Sequence, residues 1–128
     1  MYRRWTEFNG VPNKFRKDTP HVTLNAKGVI LMNRIAHEMF GGPDAVKLFY
    51  DKPQGVVGLL PANVDEPNAF PVKGKSINKI VHAKPFLRHF KIETECTLVF
   101  NRVECDDDML ILDLGMTTAT GRRPEKYQ

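Results

Sequence analysis

Residues 21–42 read HVTLNAKGVILMNRIAHEMFGG, and their hydrophobic period changes halfway along. Up to Met32 the apolar residues lie on either side of a polar run at 25–28, which predicts two strands joined by a tight turn. Beyond Met32 the apolar residues form a single stripe, which predicts a short helix containing Ile35, Ala36, Met39 and Phe40. Gly41–Gly42 then end the helix. The segment therefore predicts strand, turn, strand and helix in close succession.

The same order recurs later in the chain as an internal repeat. Residues 28–50 align without a gap on residues 78–100, at an offset of 50. Apolar classes match at the strand, at the helix and at the following strand, and three positions are identical to their mates, namely Ile30, Phe40 and Leu48. The alignment predicts two similar halves, each with a strand and a short helix that lead into a hairpin.

We predict a mainly β fold with short helices, in which the duplicated halves form one small barrel over residues 1–128. The first repeat spans 21–62, with a hairpin turn at KPQG and a stop at Pro61, and the second spans 72–114, with a turn at CDDD. Residues 63–71 are rich in Asn and Pro, which predicts a connecting loop. Residues 1–20 are expected to form an N-terminal arm and residues 115–128 a flexible C-terminal tail.

Length and composition limit the class of protein. The chain has 128 residues, of which 41% are hydrophobic, enough for one domain with an ordinary core. It contains no long apolar run typical of a membrane span, and MYRRWTEFNG lacks the apolar centre of a secretory signal. We therefore expect a cytoplasmic protein, associated with the nucleoid if it binds DNA, with Cys96 and Cys105 reduced; a disulfide between them is the alternative.

The charges are unevenly distributed. The formal net charge is +4, from 19 Lys and Arg against 15 Asp and Glu. Residues 1–17 contain five cations and a single acid, residues 73–91 contain six cations and no acid, and acids gather at 106–108. A separate basic face can attract a polyanion such as nucleic acid. The alternative is an ordinary lysine-rich surface in water.

Each half resembles the AbrB/MraZ superfamily of bacterial DNA-binding proteins. The family pattern has a basic residue and Gly before a short strand, followed by a short helix with a Gly stop, and here the matching residues are Lys27, Gly28, Ile30, Leu31, Arg34, Phe40 and Gly41. The chain departs from the pattern at Val29, where the family often has Arg. Two halves in one chain resemble the tandem MraZ branch, which implies a DNA-binding transcriptional regulator that forms a homodimer.

The candidate DNA contacts are basic residues expected on one face of the barrel, where they would meet phosphates. They are Lys27, Arg34, Lys73, Lys75, Lys79, Lys84 and Arg88, with Arg3, Arg4, Arg16 and Lys17 of the arm as a second contact. Asn25 and Asn33 could contact bases, but a turn residue and a helix N-cap are the commoner roles for asparagine at such positions.

Two other functions fit the same sequence. A protein-interaction or assembly module of the same fold would use Trp5 and Phe8 in an exposed apolar patch. An enzyme of the double-psi barrel type would need a cleft that gathers His82, His89 and an acid. No nucleophile spacing and no cysteine–histidine pattern of metal ligands occurs, so we expect a non-enzymatic protein without a metal or cofactor.

Overall fold

The computed structural model describes residues 19–74 and 77–120. Within these ranges the chain forms ten strands and two short helices. In chain order they are β1 (Val22–Leu24), β2 (Val29–Met32), α1 (Arg34–Met39), β3 (Ala45–Asp51), β4 (Val56–Ala62), β5 (Phe70–Pro71), β6 (Lys79–His82), α2 (Lys84–His89), β7 (Thr97–Phe100), β8 (Val103–Asp106), β9 (Met109–Asp113) and β10 (Thr117–Thr120). The prediction of a mainly β fold with short helices is confirmed.

Local side-chain chemistry explains the first strand, turn, strand and helix. The Asn25 Oδ1 atom accepts hydrogen bonds from the backbone N–H groups of Lys27, at 2.9 Å, and Val29, at 3.0 Å, which closes the turn between β1 and β2. The Asn33 Oδ1 atom accepts the N–H of Ala36 at 2.9 Å and caps α1. The turn and cap roles predicted for the two asparagines are therefore confirmed.

The strands form two antiparallel five-stranded sheets. The strand order is β10-β7-β1-β2-β6 in one sheet and β5-β3-β4-β9-β8 in the other. Both sheets combine strands from the two halves of the chain, because β2 pairs with β6, β1 with β7, and β4 with β9. The halves are thus interleaved within one chain rather than folded as separate units.

The geometry of the two halves is similar around their helices. The helices α1 and α2 have six residues each and begin at Arg34 and Lys84, 50 positions apart. Strands β2 and β6, which precede them at the same offset, pair antiparallel with each other, with Val29 opposite His82 and Met32 opposite Lys79. The two helices therefore begin at opposite ends of this strand pair.

Three sequence expectations differ from the structure. Strand β4 does not stop at Pro61 but continues to Ala62; Pro61 is tolerated because β9 pairs with β4 only up to Leu59. The expected loop 63–71 ends in β5, which pairs with β3. The expected flexible tail begins with β10, where the segment Thr117–Thr120 pairs with β7.

One further difference concerns the second hairpin. The stretch that leads to the turn at CDDD is not one strand, because residues 101–102 separate β7 from β8. Because of this break, β7 pairs with β1 and β10 in one sheet, whereas β8 pairs with β9 in the other. The second half therefore contributes its strands to both sheets.

A single apolar cluster fills the space between these elements. Alternate residues of the strands point inward and are fully or almost fully buried, among them Val22, Leu24, Ile30, Met32, Leu110 and Leu112. The helices add Ala36, Phe86 and Leu87 to the same cluster. Among the described residues, neither helix has the length and apolar character needed to cross a membrane.

Candidate nucleic-acid interface

Six of the predicted DNA contacts lie within the described residues. They are Lys27, Arg34, Lys73, Lys79, Lys84 and Arg88. Lys75 and the arm residues Arg3, Arg4, Arg16 and Lys17 lie outside the described residues. The six do not form one continuous group, because the fold divides them between the two ends of the β2–β6 pair.

Three of the six lie around a cleft at the start of α2. The cleft has a volume of about 300 Å³ and lies between the β1–β2 turn, α2 and the segment that follows α2. Its lining residues are Leu24, Asn25, Ala26, Gly28, Lys84, Leu87, Arg88, Ile92, Glu93 and Thr94. Lys27 lies between two of these residues in the turn. Lys27, Lys84 and Arg88, the cleft cations, are therefore brought to one end of the molecule.

A glycine allows the turn to approach α2 so closely. Gly28 has a φ of +82°, and its carbonyl oxygen accepts the N–H of Ala83 at 2.9 Å. A Cβ atom at this position would lie 2.8 Å from the Cβ of Lys84 and 2.9 Å from its Cα. Gly28 therefore fixes the position of Lys84 against the turn, and a larger residue would push them apart.

The cleft cations are exposed and available for contact. All three residues are exposed, and within the described ranges none of their side chains forms a hydrogen bond or an ion pair. Lys84 and Arg88 are four positions apart on α2 and therefore share one helix face. Two like charges at this spacing repel each other, which makes the face electrostatically suited to an anion. Glu93 is the acid that lines the same cleft.

The remaining described candidates have other surroundings. The Arg34 Nε atom lies 4.0 Å from Glu38 Oε2 across one turn of α1, and both side chains are exposed. The Lys79 Nζ atom donates a hydrogen bond to the Gly74 carbonyl oxygen at 2.9 Å. Lys73 is exposed, and its backbone bonds with Ile80. Lys79 lies opposite Met32, about 10 Å along the β2–β6 pair from the end that carries Lys84.

The histidines have structural or surface positions. The His37 Nε2 atom lies 2.8 Å from the Pro43 carbonyl oxygen, and the ring of His89 contacts that of Phe90 with centroids 4.7 Å apart. His82 is exposed in β6. Within residues 19–74 and 77–120, no group of three or more His, Cys, Asp or Glu residues is placed to hold a metal ion.

Net positive charge does not come from the described part of the chain. Residues 19–74 and 77–120 contain ten Lys and Arg but twelve Asp and Glu, a net charge of −2, whereas the other residues contain nine against three, a net charge of +6. Several acids lie on the hairpins β3–β4 and β8–β9, away from the cleft in sequence and in sheet position. The cleft cations are therefore a local basic site on a part of the chain that is acidic on balance.

One carboxyl group has a perturbed pKa. The backbone N–H of Asn63 donates to Glu66 Oε2 at 2.8 Å, and the Lys47 Nζ atom lies 2.9 Å from Glu66 Oε1. Both interactions lower the pKa of Glu66, and the bond from Asn63 has the larger effect. The Glu66 carboxylate stabilises the loop between β4 and β5 through these two contacts, so its role is structural.

Sequence reasoning found the cleft cations but not the cleft. The contact between Gly28 and Lys84 joins residues from different halves, and Glu93 and Thr94 had no motif to mark them. A glycine in a turn is the one local signal that a backbone approaches closely there. Comparison of the chain with protein-family models, with curated proteins and with solved structures finds no match.

Proposed function

We propose that this protein binds double-stranded DNA through the cleft cations and acts as a transcriptional regulator. The observation that carries the proposal is the convergence of Lys27, Lys84 and Arg88, from separate halves of the chain, on one exposed cleft without protein partners for their side chains. Positive side chains of this kind bind phosphates and release condensed counterions, which gives affinity independent of base sequence. The resemblance of residues 21–62 to the AbrB/MraZ superfamily supports the same function.

The finer fold proposal follows the same resemblance. A small barrel of the AbrB/MraZ type requires two interlocked copies of a strand–helix–hairpin unit, and the interleaved pairing of β2 with β6 and of β4 with β9 is consistent with it. The segment between the sheets also contributes, since Lys73 bridges from the end of β5 to Ile80 in β6. A homo-oligomer, as the resemblance implies, would present two basic clefts to one duplex.

Charge reversal in the cleft tests the DNA proposal. The double variant Lys84→Glu with Arg88→Glu replaces two cations by acids on exposed positions of α2, so the fold is expected to persist. Fluorescence anisotropy with a labelled duplex of random sequence measures the affinity, and we expect it to fall roughly tenfold or more at low salt. Far-UV circular dichroism verifies that the variant is folded.

The matched control is the double variant Lys52→Glu with Arg102→Glu, which makes the same net charge change of about −4 at two exposed positions outside the cleft. It alters net charge without touching the cleft, so it should retain most of the affinity. Equal losses in both variants would show that net charge alone, and not the cleft, governs binding. Absence of binding by the unmodified protein at low salt would favour the protein-interaction module instead.

A further inference from the structure

The sheet β5-β3-β4-β9-β8 has an apolar face that points away from the core. Core residues Leu48, Leu59 and Leu110 occupy one face of its three central strands, so the alternate residues occupy the other. These outward positions include five apolar side chains that take no part in the core cluster, namely Phe49, Val56, Leu60, Met109 and Ile111. Phe49 is 46% exposed, a large value for an aromatic ring in the interior of a strand.

The strand register places the apolar residues of this outer face next to one another. Phe49 lies opposite Gly58, which in turn lies opposite Ile111, so the three form one row across β3, β4 and β9. Gly58 has no side chain, and the side chain of Met109 packs over it. The row therefore forms an apolar strip in which Phe49 is exposed and the neighbouring apolar side chains are half-buried.

Acidic residues border the apolar strip. Asp51 and Asp113 flank Val56 in the next row, and Glu104 lies opposite Ile111 on the edge strand β8. A shallow depression on this face is lined by the apolar residues Val56 and Ile111, by four acids and by one cation, namely Asp51, Glu104, Asp106, Asp113 and Arg102. Two cations are nearby: Lys52 follows Asp51 in the turn, and Arg102 Nε lies 3.3 Å from Glu104 Oε2. Acids remain in excess around the depression.

Residues 1–18, here called the N-terminal segment, have the complementary chemistry. They contain four aromatic residues, Tyr2, Trp5, Phe8 and Phe15, and five cations against two acids, Glu7 and Asp18. Apolar and basic residues in one segment match an apolar strip bordered by acids. In an interaction module Trp5 and Phe8 would form an exposed apolar patch for a partner, whereas the face described above offers them a site on the same molecule.

We propose that the N-terminal segment binds the outer face of this sheet in its own chain, with its aromatic side chains over Phe49 and Ile111 and its cations beside Asp51, Glu104 and Asp113. Eighteen residues can extend to about 60 Å. A domain of 100 residues has a radius of gyration of only about 13 Å, so the segment can reach either sheet. Covalent linkage also gives the segment a high effective concentration at the face, which a separate partner lacks.

The tryptophan makes the proposal directly measurable. Trp5 is the sole tryptophan of the chain, so tryptophan emission from the full-length protein reports on the N-terminal segment alone. We expect an emission maximum shifted to shorter wavelength than that of N-acetyltryptophanamide in the same buffer. We also expect acrylamide to quench Trp5 several-fold more weakly than the free compound, because bound aromatic side chains are shielded from water and solutes.

Two variants connect the signal to the face. Phe49→Ser removes the exposed ring at the centre of the strip, and Asp106→Lys reverses a charge at its border; both residues are exposed, and circular dichroism verifies folding. Each should move the emission to longer wavelength and increase quenching. Val64→Ser is the matched control, because Val64 is an exposed apolar residue in the loop after β4, and it should leave the signal unchanged.

Every other outcome overturns the proposal. Emission and quenching equal to those of the free compound would show that Trp5 is not bound. A shielded Trp5 that responds to neither face variant would place the segment elsewhere. Shielding that disappears on dilution would assign the contact to a second copy of the chain. None of these readings depends on DNA binding, so the two proposals succeed or fail separately.

Discussion

Replacement of Gly28 by alanine tests the contact that builds the cleft. Gly28 has a φ of +82°, a conformation that costs a residue with a Cβ atom roughly 1–2 kcal/mol. The added Cβ would also lie 2.8 Å and 2.9 Å from the Cβ and Cα of Lys84, distances that force the turn and α2 apart. Overpacking of this kind costs about 1–3 kcal/mol more. We therefore expect Gly28→Ala to lower the free energy of unfolding by about 2–5 kcal/mol.

Gly55→Ala separates the two contributions. Gly55 also has a positive φ, of +68°, but a Cβ there would meet no atom within 4 Å. It should therefore show the backbone cost alone, about 1–2 kcal/mol. Urea denaturation followed by circular dichroism gives both free energies, and similar m-values would show that the same surface is exposed on unfolding. Equal losses in the two variants would refute the steric role assigned to Gly28.

Two further predictions concern stability. Asn33→Ala removes the cap of α1 together with the hydrogen bonds of Asn33 to the His21 N–H and the Thr19 carbonyl. The free energy of unfolding, measured by urea denaturation, should therefore fall by about 2 kcal/mol. Asn33→Asp keeps the acceptor oxygen and should lose less. Because folding lowers the pKa of Glu66, the ionised carboxylate stabilises the fold at pH values above its ordinary pKa of 4.5. This stabilisation is lost as the pH falls through the lower pKa of the folded state. Urea midpoints should therefore show Glu66→Gln to be less stable than the unmodified protein at neutral pH, and the difference should shrink on acidification; a deficit that is independent of pH would contradict this.

Local signals made the first half predictable. The turn at 25–28 and the cap at Asn33 depend on hydrogen bonds within a few residues, and such chemistry can be read directly from the sequence. Because the halves align at an offset of 50, the strand and helix of the first half also predict β6 and α2 in the second. Helix α2 begins without a side-chain cap, but proline in its first turn marks its start.

Non-local pairing accounts for most of what was not predicted. Strands β5 and β10 are short and have no alternating apolar pattern, and they exist because β3 and β7 provide edges with which to pair. The break between β7 and β8 likewise depends on which sheet each segment joins. The hydrophobic period of a short segment does not show which strand it pairs with, since neighbouring strands set its register.

The candidate site shows the same division. Lys27, Lys84 and Arg88 were recognisable as basic residues, but their common location depends on the close approach of Gly28 to α2. Lys79 and Arg34, which appeared equivalent to them in the sequence, lie at the other end of the β2–β6 pair and interact with Gly74 and Glu38. The sequence therefore suggested a basic face of seven residues, and of the six that the structure describes the fold places three around the cleft.

The salt dependence of DNA binding tests the central claim most directly. Anisotropy with a random duplex gives the association constant across a salt series, and each phosphate contact adds about −0.9 to the slope of log K against log salt. Contacts by the three cleft cations predict a slope of about −3 or steeper, and Lys84→Ala should make it shallower by about 1. No binding at low salt, or a slope that Lys84→Ala leaves unchanged, would contradict the assignment of the cleft to DNA.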